Sequence, residues 1–320
     1  MKDRFNLKRK SIQSLMNKNV DVYSCKDCID DFIESNFKIY RSYYISDDDI
    51  LEIMDGTGED YKDVIADMLP DKAHIKSGEF GEITATEIYK SNIQTTEIYI
   101  VDKLSHTRKE DTKVAAHKTD ILIIEKTSEG FIIHSSEVKT KITDSDFNPI
   151  EAMIEGVNDD IVTRVAETLN WIQRKLKTEK KFDELKFIKQ VIESIENQNV
   201  ENEYNGAVFI DESKLDYKIN KNIYCDVKLS KSQKGKYDNE LKSIGCVIDG
   251  DKIRFDSVNI DDINKLNINS RKRNSIEKLY NKSQRKLEHI DDIKIQIVTF
   301  DDINKHCLDM YEKIIHVGRI

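Results

Sequence analysis

The chain is poor in the residues that interrupt or staple a fold. Its 320 residues include two prolines, Pro70 and Pro149, eleven glycines and one tryptophan. No Gly/Ser-rich linker or internal repeat appears, so composition marks no domain boundary. Five cysteines in a chain of this length do not form a disulfide framework. Cys25 and Cys28 have CxxC spacing, but no second CxxC or nearby CxxH supplies the other two ligands of a structural zinc. No apolar run approaches the ~18 residues that span a bilayer, and the first twenty residues lack the apolar stretch of a secretory signal. The expectation is a cytoplasmic protein with no membrane contact. A GxxxxGK[ST] phosphate loop is also missing, so any ATP-driven movement must come from a partner.

What is abundant is charge. Charged residues make up 35% of the chain against 38% hydrophobic, and the net charge is −9. That balance excludes a protein that coats nucleic acid by bulk attraction, because non-specific affinity comes from neutralising phosphates. DNA contact would have to be local. One candidate is residues 270 to 287, where seven Lys or Arg accompany the single acid Glu277; a solvated helix face explains the same run equally well.

Apolar residues recur in ordered blocks, which predicts a folded α/β chain long enough for one enlarged domain or two joined halves. Residues 1 to 76 read as a mostly helical N-terminal cap, with Ser46 and the acids Asp47, Asp48 and Asp49 suited to open a helix. Residues 77 to 212 read as a core. Its helix starts after Ser77 or Gly78 and is followed by strand-like runs at 97 to 103, 119 to 126 and 130 to 139, a helix at 159 to 181, a second from Phe182, and a return strand at 206 to 211. Trp171 and its apolar neighbours follow helical spacing and belong to the core. Residues 213 to 320 read as an α/β extension packed on that core. It includes a hairpin turning at Gly250, the strand IKIQIVTF and a last helix capped by Asp301 or Asp302. The fold expected is a mixed central sheet flanked by helices.

The strongest chemical signal is GFIIHSSEVK. Phe131, Ile133, Ser135, Glu137 and Lys139 alternate onto one face and Ile132, His134, Ser136 and Val138 onto the other, so apolar residues on both faces imply a central strand. A carboxylate and an amine at the end of such a strand cost free energy unless solvated, paired or metal-bound. Asp120 opens the neighbouring strand, and Glu82 arrives on the preceding helix, with Glu79 as its competitor. Hard oxygen ligands such as Asp120, Glu137 and Glu82 suit Mg²⁺ or Mn²⁺, which polarises a phosphodiester and acidifies a bound water. Lys139 would orient or deprotonate that water, or neutralise developing charge.

Simpler readings exist for each residue. Glu137 and Lys139 can be a surface ion pair on an edge strand. Asp120 can be a strand-opening residue bonded to backbone amides. One of Glu79 and Glu82 can be a first-turn acid favoured by the helix dipole. His117 and His134 lie near the site in sequence, but a single strand histidine is more often packed or exposed, and neither is given a role.

The order helix with Glu82, strand with Asp120, strand with Glu137-Val138-Lys139, then helix and strand resembles the PD-(D/E)XK nuclease superfamily. That resemblance implies Mg²⁺-dependent phosphodiester hydrolysis, with the Val138 carbonyl helping to hold metal. More narrowly, GEFGEI at 78 to 83, HKTDILII at 117 to 124, EVK at 137 to 139 and the late IKIQIVTFDDINKHC are similar to HamA, the nuclease family of the Hachiman anti-phage defence system. The likeness implies a DNA-cleaving effector partnered by a superfamily 2, HamB-like helicase. A stand-alone restriction or repair nuclease, or a non-catalytic nuclease-like adaptor that binds DNA, remains open on the residues alone.

Overall fold

The computed structural model describes residues 5–15, 18–93, 97–108, 118–143, 148–215, 227–229, 233, 235–250, 252–255, 258–285 and 292–316. His117 and most of the strand-like run 223 to 230 lie outside these. The chain divides into two compact units, residues 1–219 with 294–320 and residues 220–293.

The larger unit begins with strands β1 (Leu7–Leu15) and β2 (Lys18–Cys25), then helices α1 (Ile29–Ser42), α2 (Asp47–Thr57), α3 (Tyr61–Met68) and α4 (Ala73–Asn92). Strands β3 (Ile98–Ile100), β4 (Ile121–Lys126) and β5 (Phe131–Lys141) follow. Helix α5 (Pro149–Asp159) runs through a π-helical turn, Asp160–Arg164, into α6 (Val165–Thr178); α7 (Phe182–Glu196) and strand β6 (Val200–Asp211) come next.

In the smaller unit lie β7 (Val227–Lys228), α8 (Asp238–Ser243), β8 (Val247–Asp249), β9 (Lys252–Arg254), α9 (Ile260–Asn264) and α10 (Ser270–Arg285). Its three-stranded sheet has the order β7-β9-β8, and Leu241, Ile253, Ile263 and Ile276 are fully buried at its centre. Gly250 turns the β8–β9 hairpin at φ +59°, a left-handed value that suits glycine. Strand β10 (Ile293–Phe300) and helix α11 (Ile303–His316) then return to the larger unit.

The central sheet is mixed and seven-stranded, ordered β1-β2-β10-β6-β5-β4-β3. Strand β5 pairs parallel with β6 and antiparallel with β4, so it is interior as its two-faced apolar pattern requires. One face carries Val138, Ala207, Phe209, Val298 and Phe300 against Phe32, Phe80, Ile83 and Met310 of α1, α4 and α11. The opposite face carries Leu122, Ile124 and Ile133 against Leu169, Trp171, Ile172, Ile188 and Val191 of α6 and α7. Helix α4 lies very close to β5: a Cβ on Gly81 would stand 2.0 Å from Thr140 Oγ1 and 3.2 Å from Val138 Cγ1.

The structure departs from the sequence expectation at both ends of the chain. Residues 7–15 and 18–25 are paired antiparallel strands rather than part of a helical cap, although α1 to α3 are helical and the Ser46 side chain caps α2 by accepting from Asp49 N–H. Strand β2 is fixed by parallel pairing with β10, Gln296 opposite Asp21, and buries Val20 and Val22. That partner is far away in sequence, so local periodicity carried little of the signal. For the same reason β10 and α11 belong to the core unit instead of an extension starting at residue 213. Helix α4 also begins earlier than expected, at Ala73, which moves Glu79 beyond the first turn and removes the helix-dipole explanation for it.

Candidate active site

Strand β5 presents Glu137 and Lys139 on the face toward α5, where Glu137 is 3% exposed. This is no surface ion pair on an edge strand. The Lys139 ammonium bonds Glu137 Oε1 and lies 4.0 Å from Asp120 Oδ2. On the other side of the carboxylate, Arg164 Nη2 donates to Glu137 Oε2 at 3.0 Å.

Asp120, just ahead of β4, accepts the Val138 N–H on Oδ2 at 2.9 Å, so the strand-opening role is real. Its other oxygen has a second task. Oδ1 faces Lys103 Nζ at 3.5 Å, and the same ammonium lies 3.0 Å from Glu82 Oε2 on α4. Arg164 Nε in turn lies 3.1 Å from Asp160 Oδ1, which also accepts from Thr119 Oγ1 at 3.1 Å. Seven side chains therefore alternate in sign along one path: Glu82, Lys103, Asp120, Lys139, Glu137, Arg164, Asp160.

Glu79 is not on this path. It is buried on the core side of α4, where Tyr44 OH donates to its Oε2 at 2.9 Å and also bonds Tyr311 OH at 2.7 Å. Of the two helix acids, Glu82 is the one that reaches Lys103, and through it Asp120.

Burial dominates the electrostatics, and it acts against every charge. It pushes the Glu82 carboxyl up to about 8, with Lys103 opposing and the Asp120 and Glu79 charges adding to the rise. Burial likewise raises Glu137, assisted by Asp120 and resisted by Lys139 and Arg164. Asp160, 1% exposed, is raised to about 7 by burial, against Arg164 and with the charges of Glu137 and Asp120. The cations respond in the opposite sense. Burial works against Lys103 and Lys139, yet the surrounding carboxylates hold both ammoniums above their ordinary range.

The sequence reading missed Lys103, Asp160, Arg164 and Thr119. Lys103 ended a strand-like run of which only Ile98–Ile100 is a strand, and Asp160 and Arg164 fall in a segment read as regular helix. Asp160 and Arg164 share the i, i+4 spacing of a helical ion pair, but no spacing joins them to Lys103, Thr119 or the strand acids; only the tertiary fold does.

Other features lie outside the site. His134 is held between Glu203 (3.2 Å) and Glu125 (3.1 Å), and Glu203 also binds Lys294 at 2.8 Å. These residues line a cavity of about 490 Å³ beside Tyr89, Asn92 and Asn205 that shares no lining residue with the charged path. In the smaller unit, Lys272 of α10 is bound to Glu240 and lies over the Tyr237 ring at 5.8 Å, and Arg273 donates to the Leu266 carbonyl at 2.8 Å. Part of that basic run is thus used to hold its own unit. Cys25 Sγ contacts the Phe5 carbonyl at 3.5 Å, and Cys28 is a free, exposed thiol. No helix among the described residues is long and apolar enough to cross a membrane.

Fold and site together define a mixed α/β protein with a largely buried carboxylate–lysine centre where helix α4 meets strands β4 and β5. The chain matches the HamA family over residues 2–314 and belongs to it, which places it among the Hachiman-associated defence proteins. No curated protein matched it.

Proposed function

We propose that this protein is a divalent-metal-dependent deoxyribonuclease of PD-(D/E)XK type, the effector of a Hachiman system working beside a superfamily 2, HamB-like helicase. The observation that carries the reading is that Glu82 of α4, Asp120 just ahead of β4, and Glu137 and Lys139 of β5 lie on one charged path.

Glu82, Asp120 and Glu137 are hard oxygen donors of the kind Mg²⁺ or Mn²⁺ takes, strung along the path with Lys103 and Lys139 between them, and the family pattern adds the Val138 carbonyl. Glu82 Oε2 is buried and its partner is the Lys103 ammonium, 3.0 Å away. Lys103, between Glu82 and Asp120, marks a place where positive charge is favoured. A bound Mg²⁺ would polarise the phosphodiester and lower the pKa of water. Asp120 is oriented by the Val138 amide, and Glu137 by Lys139 and Arg164. Lys139, held protonated by its acidic neighbours, supports a charge-neutralising and water-orienting role over that of a base.

The decisive experiment is cleavage of plasmid and linear DNA with Mg²⁺, alone and with the helicase, by the native chain and by Glu137→Ala and Lys139→Ala. Equal cleavage by all three would sink the assignment. One observation favours a second reading, a metal-free adaptor: among the described residues no three acid, histidine or cysteine side chains are gathered as a ready metal site. Calorimetric titration with Mn²⁺ separates the two, because an adaptor needs no metal and a nuclease loses it when Asp120 is replaced. Co-purification with the helicase tests the partnership and separates it from a stand-alone nuclease.

A further inference from the structure

Arg164 occupies the last position of the π-helical turn Asp160–Arg164, between α5 and α6. A π turn inserts a residue into the helical ladder and re-aims the side chains around it, often at functional positions. Here it delivers a guanidinium to the strand that carries Glu137. Nη2 serves Glu137 Oε2 and the Gly156 carbonyl, and Nε faces Asp160, whereas Nη1 has no partner among the described residues.

Solvent access separates the three cations of the path. Lys103 is 5% exposed and enclosed by its acids, but Lys139 and Arg164 are 26% and 24% exposed. They flank the same carboxylate, Lys139 on Oε1 and Arg164 on Oε2. An anion approaching Glu137 would therefore meet an ammonium on one side and, on the other, a guanidinium whose Nη1 edge has no partner among the described residues. A guanidinium is always charged and its planar fork matches phosphate oxygens, so a phosphodiester is the anion this pair fits.

We propose that Arg164 is a substrate-binding residue that donates from its Nη1 edge to a non-bridging oxygen of the DNA phosphate lying against Glu137. This rests on the deoxyribonuclease reading. Asp160, buried and bonded to Thr119, holds the guanidinium in place, and one of its oxygens has no partner of its own.

The test uses the full chain and a short DNA duplex, with Ca²⁺ replacing Mg²⁺ during binding measurements. Native protein, Arg164→Lys and Arg164→Gln are compared by fluorescence anisotropy over a salt series, and each is titrated with Mn²⁺ by calorimetry. Loss of one phosphate contact should weaken DNA binding about tenfold in Arg164→Gln and flatten the log–log salt slope by about 0.9. Arg164→Lys should recover much of the affinity, and in both variants Mn²⁺ binding should change by clearly less than DNA binding does. Unchanged DNA affinity and slope in Arg164→Gln would overturn the proposal. So would a loss of Mn²⁺ binding as large as the loss of DNA binding, which would make Arg164 a brace for Glu137 alone. A native chain that neither binds nor cuts DNA would remove the nuclease reading and this inference together; native cleavage with Arg164→Gln indistinguishable from it would remove only the inference.

Discussion

The Glu137 carboxylate occupies the space that a side chain at position 156 would need: a Cβ built on Gly156 would stand 2.2 Å from Glu137 Oε1. Helix α5 can cover the site residue only because it has no side chain there. Gly156→Ala should therefore displace either α5 or the carboxylate, at a cost of about 1–3 kcal/mol, and should lower cleavage with it. Gly78, on α4, has nothing within 4 Å of its hypothetical Cβ. Gly78→Ala should instead stabilise by up to about 1 kcal/mol through helix propensity. Urea denaturation of both variants checks the contrast, and equal, small effects would mean that the close contact at Gly156 is readily relieved.

Lys103 is the buried link of the charged path, and removing it leaves Glu82 and Asp120 facing each other. Above about pH 8, where Glu82 is ionised, Lys103→Met is expected to destabilise the protein by about 3 kcal/mol, the cost of stranding a charge whose partner has been deleted. The double variant Lys103→Met/Glu82→Gln should regain a large part of this, because the stranded charge is then gone. A double-mutant cycle on denaturation free energies measures the coupling. If the two losses simply add, the ion pair carries no structural weight.

The raised acids fix the sign of a pH effect. Glu82 moves from 4.5 to about 8 and Asp160 from 3.8 to about 7, so the folded protein holds these protons more tightly than the unfolded chain. Their contribution is fully present below the unfolded values and is lost as pH rises through the folded ones. Without metal, the native chain should lose stability relative to Glu82→Gln between about pH 4.5 and 8. Metal binding requires the ionised carboxylates and releases protons, so added Mn²⁺ should raise Tm more at pH 8 than at pH 6. Melting curves of the two proteins across this range give the difference directly. Parallel profiles would show that Glu82 does not titrate there.

How far the sequence could show this site depended on what kind of contact defined each residue. Glu137 and Lys139 were visible because two-residue alternation on an apolar strand is a local pattern, and Asp120 because it opens the adjoining strand. The β1–β2 pair was hidden, since β2 owes its place to pairing with a strand near the other end of the chain. Lys103 and Arg164 were hidden for a related reason. In a chain that is 35% charged, a lysine or arginine carries no signal until the fold sets carboxylates around it. Asp160 was masked further by the π turn, whose insertion a regular helical reading does not anticipate.

Glu79 and Glu82 stood as equals in the sequence, three residues apart on one helix, and the structure gives them different surroundings. Glu79 accepts from Tyr44 in a buried cluster with Tyr311, where it ties α4 to the segment following α1. Glu82 faces Lys103, within reach of Asp120's charge. Glu79→Gln keeps an acceptor for the Tyr44 hydroxyl and should leave DNA cleavage and Mn²⁺ affinity within about threefold of native, with a modest stability loss of about 1 kcal/mol. Glu82→Gln should do the opposite, lowering cleavage by about a hundredfold or more and weakening Mn²⁺ binding, since an amide cannot supply the carboxylate charge a hard cation needs. Parallel cleavage assays and calorimetry on the two variants decide the matter. The reverse pattern would assign the metal-binding helix acid to Glu79 and require α4 to turn in the active protein.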